Sequence, residues 1–274
     1  MALKKKKQFI EDPAPVDKKF TQLLSTFKCF QPTKGISNKP ILKITDLKKK
    51  FRKGFKTFNA LDGINLTLNA GDRVALLGAN GDGKTTLLEI ISGITKATSG
   101  KIEYLYPYRK TPQERIGIQF QDATCPYGFT VFDLIQVQNS ILINPLFEKY
   151  IARLIKTFKL EELLHRRASR LSAGQQQRIN IALTFMCDPT LLFLDELSTA
   201  LDIDMQFYVN DVVQNYVDEH KTTLVLSSHN VKEILFHTKR CVIIKKGKIV
   251  LDAPVEAIVK HFKDFDFFLT NMIK

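Results

Sequence analysis

One eight-residue stretch, 78–85, constrains the local fold more than any other part of the chain: Gly, four residues, then Gly-Lys-Thr. A short apolar run, 73–77, precedes it, and a helix-like apolar pattern, 86–91, follows it. Strand, loop and helix in this order is the setting of a phosphate-binding loop, which an ordinary glycine-rich turn does not require. In such a loop Lys84 reaches the β- and γ-phosphates, and Thr85 offers a hydroxyl to Mg²⁺.

Five more motifs follow this loop in a fixed order along the chain. They are Gln121 after a strand-like run, the segment Leu-Ser-Ala-Gly-Gln-Gln-Gln-Arg at 171–178, the acidic pair Asp195 and Glu196 after an apolar run, the turn Ser-Thr-Ala-Leu-Asp at 198–202, and His229 after another strand-like run. With these motifs the chain resembles the nucleotide-binding domain of ATP-binding-cassette (ABC) proteins over about residues 41–259. The resemblance implies an ATPase that converts ATP and water to ADP and phosphate.

Strand-like and helix-like segments alternate, which predicts an α/β fold with a mainly parallel sheet. The strand-like segments are 41–44, 73–77, 116–121, 191–195, 223–227 and 241–250, the last with a turn at Lys246 and Gly247. The resemblance makes it a P-loop nucleoside triphosphatase of the ABC type, with an antiparallel β part and a helical subdomain at about 122–170. We expect the cassette to occupy 40–260, between a basic N-terminal extension, 1–39, and a phenylalanine-rich C-terminal tail, 261–274. Ligands of parallel sheets bind at the carboxyl ends of the strands, where the phosphate loop and Asp195 both fall.

Phosphoryl transfer requires a phosphate cradle, a metal ion, a positioned water and a group that senses the γ-phosphate. By the resemblance, the catalytic residues are Glu196, which accepts the proton of the attacking water, His229, which contacts the γ-phosphate, and Lys84. The resemblance also assigns Mg²⁺ to Thr85, Gln121 and Asp195. The predicted nucleotide-binding residues are Phe51, Gly78, Ala79, Asn80, Gly81, Asp82, Gly83, Lys84, Thr85, Thr86, Gln121, Ser172, Gly174 and Gln175.

In the resembling family an aromatic residue after the first strand stacks on adenine. Phe51, Phe55 and Phe58 all follow that strand, and the register favours Phe51. The chain also departs from the family pattern at two positions, with Ala173 in place of the usual glycine and Leu197 in place of the usual proline. Neither departure removes a chemical group, so we still expect hydrolysis.

The net charge of +13 is concentrated at the front of the chain. Residues 1–60 hold 16 Lys and Arg against 4 Asp and Glu, and the remainder holds 25 against 24. Apolar residues in 17–30 recur at helical spacing between lysines, which is typical of an amphipathic helix that contacts anionic lipid through residues 1–30. A solvated lysine tail with a helix folded back on the cassette explains the same pattern. Because the cassette itself is nearly neutral, nucleic acid is not an expected partner.

The 171–178 segment completes the ATP site of a second cassette in the resembling family, so we expect a homodimer or heterodimer. The helix that follows this segment is expected at 176–185. A single cassette with a helical insert and no fused membrane segment favours the ATP-hydrolysing subunit of a transporter whose transmembrane subunits are separate chains. We place it peripherally on the cytoplasmic face of the cell membrane, with a slight preference for an exporter. The alternative is a soluble ABC ATPase that acts on the ribosome or nucleic acid.

Two further features bear on this assignment. No apolar stretch approaches the ~20 residues that cross a bilayer, no secretory signal opens the chain, and its 4 cysteines lack paired spacing, which together favour a reducing cytoplasm. Within the helical insert, Tyr127 and Phe129 either face the membrane partner or pack the core of the subdomain.

Overall fold

A six-stranded sheet forms the centre of the computed structural model, which describes residues 39–54, 56–120, 124–142, 148–198, 200–262 and 264–273. The sheet has the strand order β5-β6-β7-β3-β8-β9, and all neighbours are parallel except the antiparallel pair β8 and β9. Its strands are β3 (Arg73–Leu77), β5 (Ile116–Gln119), β6 (Leu191–Asp195), β7 (Thr223–Ser227), β8 (Arg240–Lys245) and β9 (Lys248–Pro254).

The central strands read as unbroken apolar runs because both faces of this sheet are covered. Every residue of β3 and β7 is buried, as are the first four residues of β6. The mainly parallel sheet predicted from the sequence is therefore confirmed. The expected break at Lys246 and Gly247 is the turn that reverses the chain between β8 and β9.

A second, three-stranded sheet has the order β2-β1-β4 and is antiparallel. Its strands are β1 (Pro40–Lys53), β2 (Lys56–Asn69) and β4 (Ser99–Tyr104). Only the start of β1, at 41–44, was predicted, because the rest of the hairpin is rich in lysine and polar residues. Apolar side chains such as Leu42, Ile44 and Leu61 point to the core and hold the hairpin in place.

Eight α-helices are present among the described residues: α1 (Lys84–Ile91), α2 (Val131–Ile141), α3 (Glu148–Thr157), α4 (Ala173–Phe185), α5 (Ile203–His220), α6 (Val231–His237), α7 (Val255–Phe262) and α8 (Phe265–Ile273). Helices α2 and α3 belong to the predicted helical subdomain, and Thr130 caps α2 by accepting a hydrogen bond from the Asp133 N–H. Helix α4 begins at Ala173, three residues before the expected start at Gln176. The earlier start arises because Ser172 caps the helix through a capping box with Gln175.

Two apolar clusters fill the interior. One lies under the antiparallel sheet and includes Ile44, Leu61 and Val242. The other joins the helical subdomain to the central sheet and includes Ile179 and Phe185. Both clusters are built around strands of the central sheet, so the ends of those strands are held in fixed positions.

The C-terminal helices α7 and α8 pack on each other through phenylalanines. Phe265 and Phe268 are buried, whereas Phe267 is 61% exposed. Nothing among the described helices is long and apolar enough to cross a membrane. The predicted amphipathic helix at 17–30 and its lipid contact lie outside the described residues.

Candidate functional site

The phosphate loop connects the end of β3 to the start of α1, as the sequence predicts. Gly78 and Gly83 both have positive φ angles, 153° and 107°. A Cβ on Gly78 would lie 2.3 Å from the Ile244 carbonyl oxygen, and one on Gly83 would lie 2.5 Å from the Ala60 carbonyl oxygen. Glycine is therefore required at both positions by backbone conformation and by space, because the loop passes directly against β8 and β2.

The Lys84 side chain folds back onto the phosphate loop. Its Nζ donates hydrogen bonds to the carbonyl oxygens of Gly78, at 2.6 Å, and Ala79, at 3.1 Å. Burial lowers the pKa of Lys84, while the negative charges of Asp195, Asp82 and Glu196 oppose that shift. The ammonium group therefore lies among the loop carbonyls and the carboxylates that end β6.

Asp82, predicted as a nucleotide-binding residue, shapes the loop through its carboxylate. The two oxygens accept hydrogen bonds from the Ala79 N–H and the Lys246 N–H, both at 2.8 Å. In addition, the Gly247 N–H donates to the Asp82 carbonyl oxygen at 3.0 Å. These contacts tie the phosphate loop to the turn between β8 and β9.

Asn80, Gly81 and Thr85 are exposed on this loop and the first turn of α1, and Thr86 is half-buried. The backbone N–H groups at the start of a helix are not bonded within the helix, so they attract anions. Thr85 places a hydroxyl at the same position. The loop therefore offers donors and a metal-binding oxygen on one open surface.

Asp195 and Glu196 stand where β6 ends. Glu196 has a φ angle of 58°, in the left-handed region, and its N–H donates to the Ser227 carbonyl oxygen at 2.8 Å. This bond turns the chain sharply while keeping it against β7. The Glu196 side chain is only 14% exposed. The turn thus directs a carboxylate into the space beside the neighbouring strand.

His229 follows β7 and faces Glu196. Its Nε2 lies 3.5 Å from Glu196 Oε1, and its side chain is 55% exposed. Asn230 then starts α6 by accepting hydrogen bonds from the Lys232 and Glu233 N–H groups. Because β6, β7 and β3 are neighbours in the sheet, their carboxyl ends bring Glu196, His229 and Lys84 to one edge.

The 171–178 segment, called the signature segment below, lies at the N terminus of α4. The Ser172 hydroxyl accepts a hydrogen bond from the Gln175 N–H at 3.3 Å, and Gln175 Oε1 accepts one from the Ser172 N–H at 3.1 Å. A Cβ on Gly174 would lie 2.8 Å from the Ala200 carbonyl oxygen, so this segment packs tightly against Ala200. Ala173, the departure from the family pattern, is exposed.

The predicted adenine platform is a pair of rings. Phe51 stacks on Phe58 with centroids 5.7 Å apart, and Lys49 Nζ lies 4.8 Å above the Phe51 ring. Phe58 is 52% exposed and Phe51 is half-buried. Phe51 and Phe58 were predicted as alternatives for stacking on adenine, whereas the hairpin of β1 and β2 places the two rings together. Phe55, the third candidate, lies outside the described residues.

Two buried carboxamides donate hydrogen bonds to the backbone of the acidic pair. Neither was predicted from the sequence. Gln119 Nε2 donates to the Asp195 carbonyl oxygen at 3.1 Å. Gln177 Nε2 donates to the carbonyl oxygens of Glu196 and Leu197, both at 3.2 Å. The sequence does contain a signal for Gln119, which ends the otherwise apolar strand β5. A buried amide needs hydrogen-bond partners, so such a glutamine indicates a polar contact inside the protein.

The residues predicted to hold Mg²⁺ are only partly described. Thr85 supplies a hydroxyl at the start of α1 and Asp195 a carboxylate at the end of β6. Both are hard oxygen donors, which Mg²⁺ prefers, and the effect of Asp195 on the Lys84 pKa shows that its charge acts on the phosphate loop. Gln121 lies outside the described residues. The donors that are described fit the ion.

A phosphate loop at the end of a buried parallel strand, with an acidic pair at the end of a neighbouring strand, defines a P-loop nucleoside triphosphatase. The family model for the ABC transporter matches residues 61–199, and the chain belongs to this family as an ATP-binding cassette, an ATPase. The resemblance found in the sequence is confirmed.

Curated relatives support the same assignment. The chain is 32% identical to a thiamine import ATP-binding protein of Jannaschia sp. (strain CCS1), over 77% of this chain and 92% of the relative. It is 31% identical to the lipoprotein-releasing system ATP-binding protein of Leptospira interrogans, over 81% of this chain and 96% of the relative. One relative is named for import and the other for release, so the slight preference for an exporter is not supported.

A solved structure agrees with the fold. The dimeric structure of an ATP-binding cassette in a post-hydrolysis state, bound to ADP and Pi, superimposes with a TM-score of 0.69. The match covers 78% of this chain and 98% of that chain at 22% identity. The arrangement of a mixed sheet with an antiparallel part and helices, predicted from the sequence, is thereby confirmed.

Proposed function

We propose that this chain is the ATP-hydrolysing subunit of a membrane transporter whose transmembrane subunits are separate chains. The observation that carries the proposal is the Glu196 carboxylate, held 3.5 Å from the His229 imidazole at the sheet edge where Lys84 lies. A carboxylate, an imidazole and an ammonium group converge there beside a phosphate cradle. These are the groups that hydrolysis of a phosphoanhydride requires.

In the proposed reaction Glu196 accepts the proton of the attacking water, and His229 contacts the γ-phosphate. Lys84 exchanges its hydrogen bonds to the Gly78 and Ala79 carbonyl oxygens for bonds to phosphate oxygens. Thr85, Asp195 and Gln121 are the proposed ligands of Mg²⁺, which neutralises phosphate charge when bound. Because Glu196 leaves β6 with a left-handed backbone, its carboxylate is oriented before nucleotide arrives.

A second cassette completes the site in this proposal. Ser172, Gly174 and Gln175 lie at the N terminus of α4, where unbonded backbone N–H groups and the helix dipole favour an anion. These residues contact the γ-phosphate bound to the other cassette. ATP then joins the two cassettes, and its hydrolysis releases them, so the dimer interface is the part that moves.

A groove suits the membrane partner. It has a volume of about 1280 Å³ and lies between the edge strand β5 and the helical subdomain. Apolar Ile141 and Leu142 line it beside Arg115, Gln138 and Tyr150, a mixture typical of a protein-binding surface. Nearby in the chain, Tyr127 is 90% exposed and Phe129 40% exposed, which favours the partner-facing alternative for both residues.

Hydrolysis is tested with the purified chain and Mg-ATP. We expect the change Glu196→Gln to reduce the rate by about 100-fold or more while ATP binding persists, because it removes the general base and leaves the cradle intact. Glu256→Gln, which alters an exposed glutamate on α7, is the matched control and should leave the rate unchanged. Rapid hydrolysis by the Glu196→Gln variant would show that another group acts as the base.

The partner is tested by purifying the tagged chain from gently solubilised membranes of its native cell at moderate salt. A multi-span membrane protein in stoichiometric amount supports the transporter subunit and identifies the chain that selects the substrate. Ribosomal components or RNA in its place would overturn the transporter proposal and support a soluble ABC ATPase that acts on the ribosome or nucleic acid. The names of the relatives do not favour that alternative.

A further inference from the structure

Glu233 is a buried carboxylate to which no role has yet been given. It lies on α6, one turn after His229, and is 3% exposed. Neither of its carboxylate oxygens forms a hydrogen bond of ordinary geometry within the described part of the chain. A buried charge without hydrogen bonds is costly, so its presence calls for an explanation in function.

Two serine hydroxyls lie close to this carboxylate and favour its charged form, although burial dominates and raises the pKa of Glu233. Ser228 and Ser198 are both buried, at 3% and 6% exposure. Ser228 directly precedes His229, and Ser198 follows Glu196 by two residues. Glu233 therefore lies between the two turns that carry the proposed base and the proposed γ-phosphate contact.

The hydroxyl of Ser228 is available to donate. Its oxygen accepts a hydrogen bond from the Asn230 N–H at 3.0 Å, which leaves its proton free to point to the carboxylate. Ser198 lies two residues before Ala200, whose carbonyl oxygen would lie 2.8 Å from a Cβ on Gly174 of the signature segment.

We propose that Glu233 is a positioning residue for hydrolysis, which accepts hydrogen bonds from Ser198 and Ser228 and thereby sets the separation of Glu196 and His229. This inference rests on the roles proposed above for those two residues. The acceptors that are unmet here are met when ATP and the second cassette draw Ser198 toward Glu233. Glu233 then links the signature segment, through Ala200 and Ser198, to the γ-phosphate contact.

Steady-state hydrolysis by the full chain tests this proposal. We expect Glu233→Ala to lower kcat by about 10-fold to 100-fold, because small displacements of reacting groups have effects of that size. KM for ATP should change by less than about threefold, since the phosphate loop is untouched. Glu233→Gln should retain kcat within about threefold, because its carboxamide oxygen accepts the same two hydroxyls.

A mutant cycle distinguishes positioning from general support of the fold. If Glu233 acts through the serines, Ser198→Ala with Ser228→Ala lowers kcat about as much as Glu233→Ala, and combining all three changes lowers it no further. Additive losses, or an unchanged kcat in Glu233→Ala, would overturn the proposal. If Glu233→Ala does not fold, Glu233→Leu replaces it, because leucine fills the space without an acceptor.

His237→Gln is the matched control. His237 is a buried polar residue on the same helix, but it faces Asn210 on α5, with Nε2 2.8 Å from Asn210 Oδ1. We expect it to lower thermal stability and keep kcat. A wild-type chain that does not hydrolyse ATP overturns both this inference and the proposed function. Normal wild-type and Glu196→Gln behaviour with an unaffected Glu233→Ala overturns this inference alone.

Discussion

The position of the Lys84 side chain is fixed before nucleotide binds. Its ammonium group is held by the Gly78 and Ala79 carbonyl oxygens, which phosphate oxygens replace in the proposed reaction. The motif predicted that Lys84 belongs to the loop. It could not predict the carbonyl partners, because those depend on the φ angles of glycines that the pattern does not specify.

Ala173 tests whether a departure from the family pattern matters. Its side chain is exposed at the first position of α4, and the cap at Ser172 does not use it. We expect Ala173→Gly to keep ATP hydrolysis within about twofold and to cost about 1 kcal/mol or less of folding free energy, from the lower helix propensity of glycine. Steady-state kinetics and urea unfolding measure the two effects. Complete loss of hydrolysis in the variant would mean that the methyl group itself serves the reaction.

Elements were predicted well where their residues are apolar throughout. β3, β6 and β7 were located to the residue because strands buried on both faces are apolar at their central positions. β2 was missed because its apolar residues alternate irregularly, and β1 and β2 pair with several register shifts. The pairing partner of a half-exposed strand is a tertiary property, which local sequence does not contain.

Contact between α5 and α6 makes stability depend on pH. Burial, with a smaller contribution from the charge of Arg73, lowers the pKa of His237 from 6.5 to about 4. His237 is neutral in the folded chain, whereas the unfolded chain takes up a proton below about pH 6.5. The stabilisation is therefore complete above pH 6.5 and is lost as pH falls to about 4, a change of about 3 kcal/mol.

Unfolding of wild type and His237→Gln, measured at several pH values between 7.5 and 4, checks this expectation. The difference in unfolding free energy between the two chains should shrink as the pH falls, since glutamine does not titrate. Parallel pH profiles for the two chains would contradict it and would place the acid sensitivity on other groups.

For the whole molecule, the groove beside β5 and the edge strand β9 lie at opposite ends of the central sheet. The groove depends on how the helical subdomain packs against the sheet, so no motif in the sequence located it. The residues predicted to act on nucleotide follow from motifs whose spacing is local, whereas the partner surface was only a general expectation.

Ile141 offers a test of that surface. It is 68% exposed at the end of α2 and lines the groove. We expect Ile141→Asp to reduce copurification of the membrane partner by about 10-fold, the effect of losing an apolar contact of roughly 1.4 kcal/mol, while hydrolysis by the purified chain is unchanged. Val250→Asp, on the opposite edge strand β9, is the control. Equal recovery of partner with both variants would exclude the groove as the docking surface.

The left-handed backbone at Glu196 has a consequence for laboratory evolution. A residue with a branched or long side chain destabilises the folded state by about 1 kcal/mol in this conformation, whereas glycine and asparagine tolerate it. A library of this chain selected only for survival of heating should therefore accumulate Gly or Asn at position 196, and those survivors would have lost turnover. Deep sequencing of this library and of a second library selected for transport should show these replacements enriched at position 196 in the first library and Glu retained in the second.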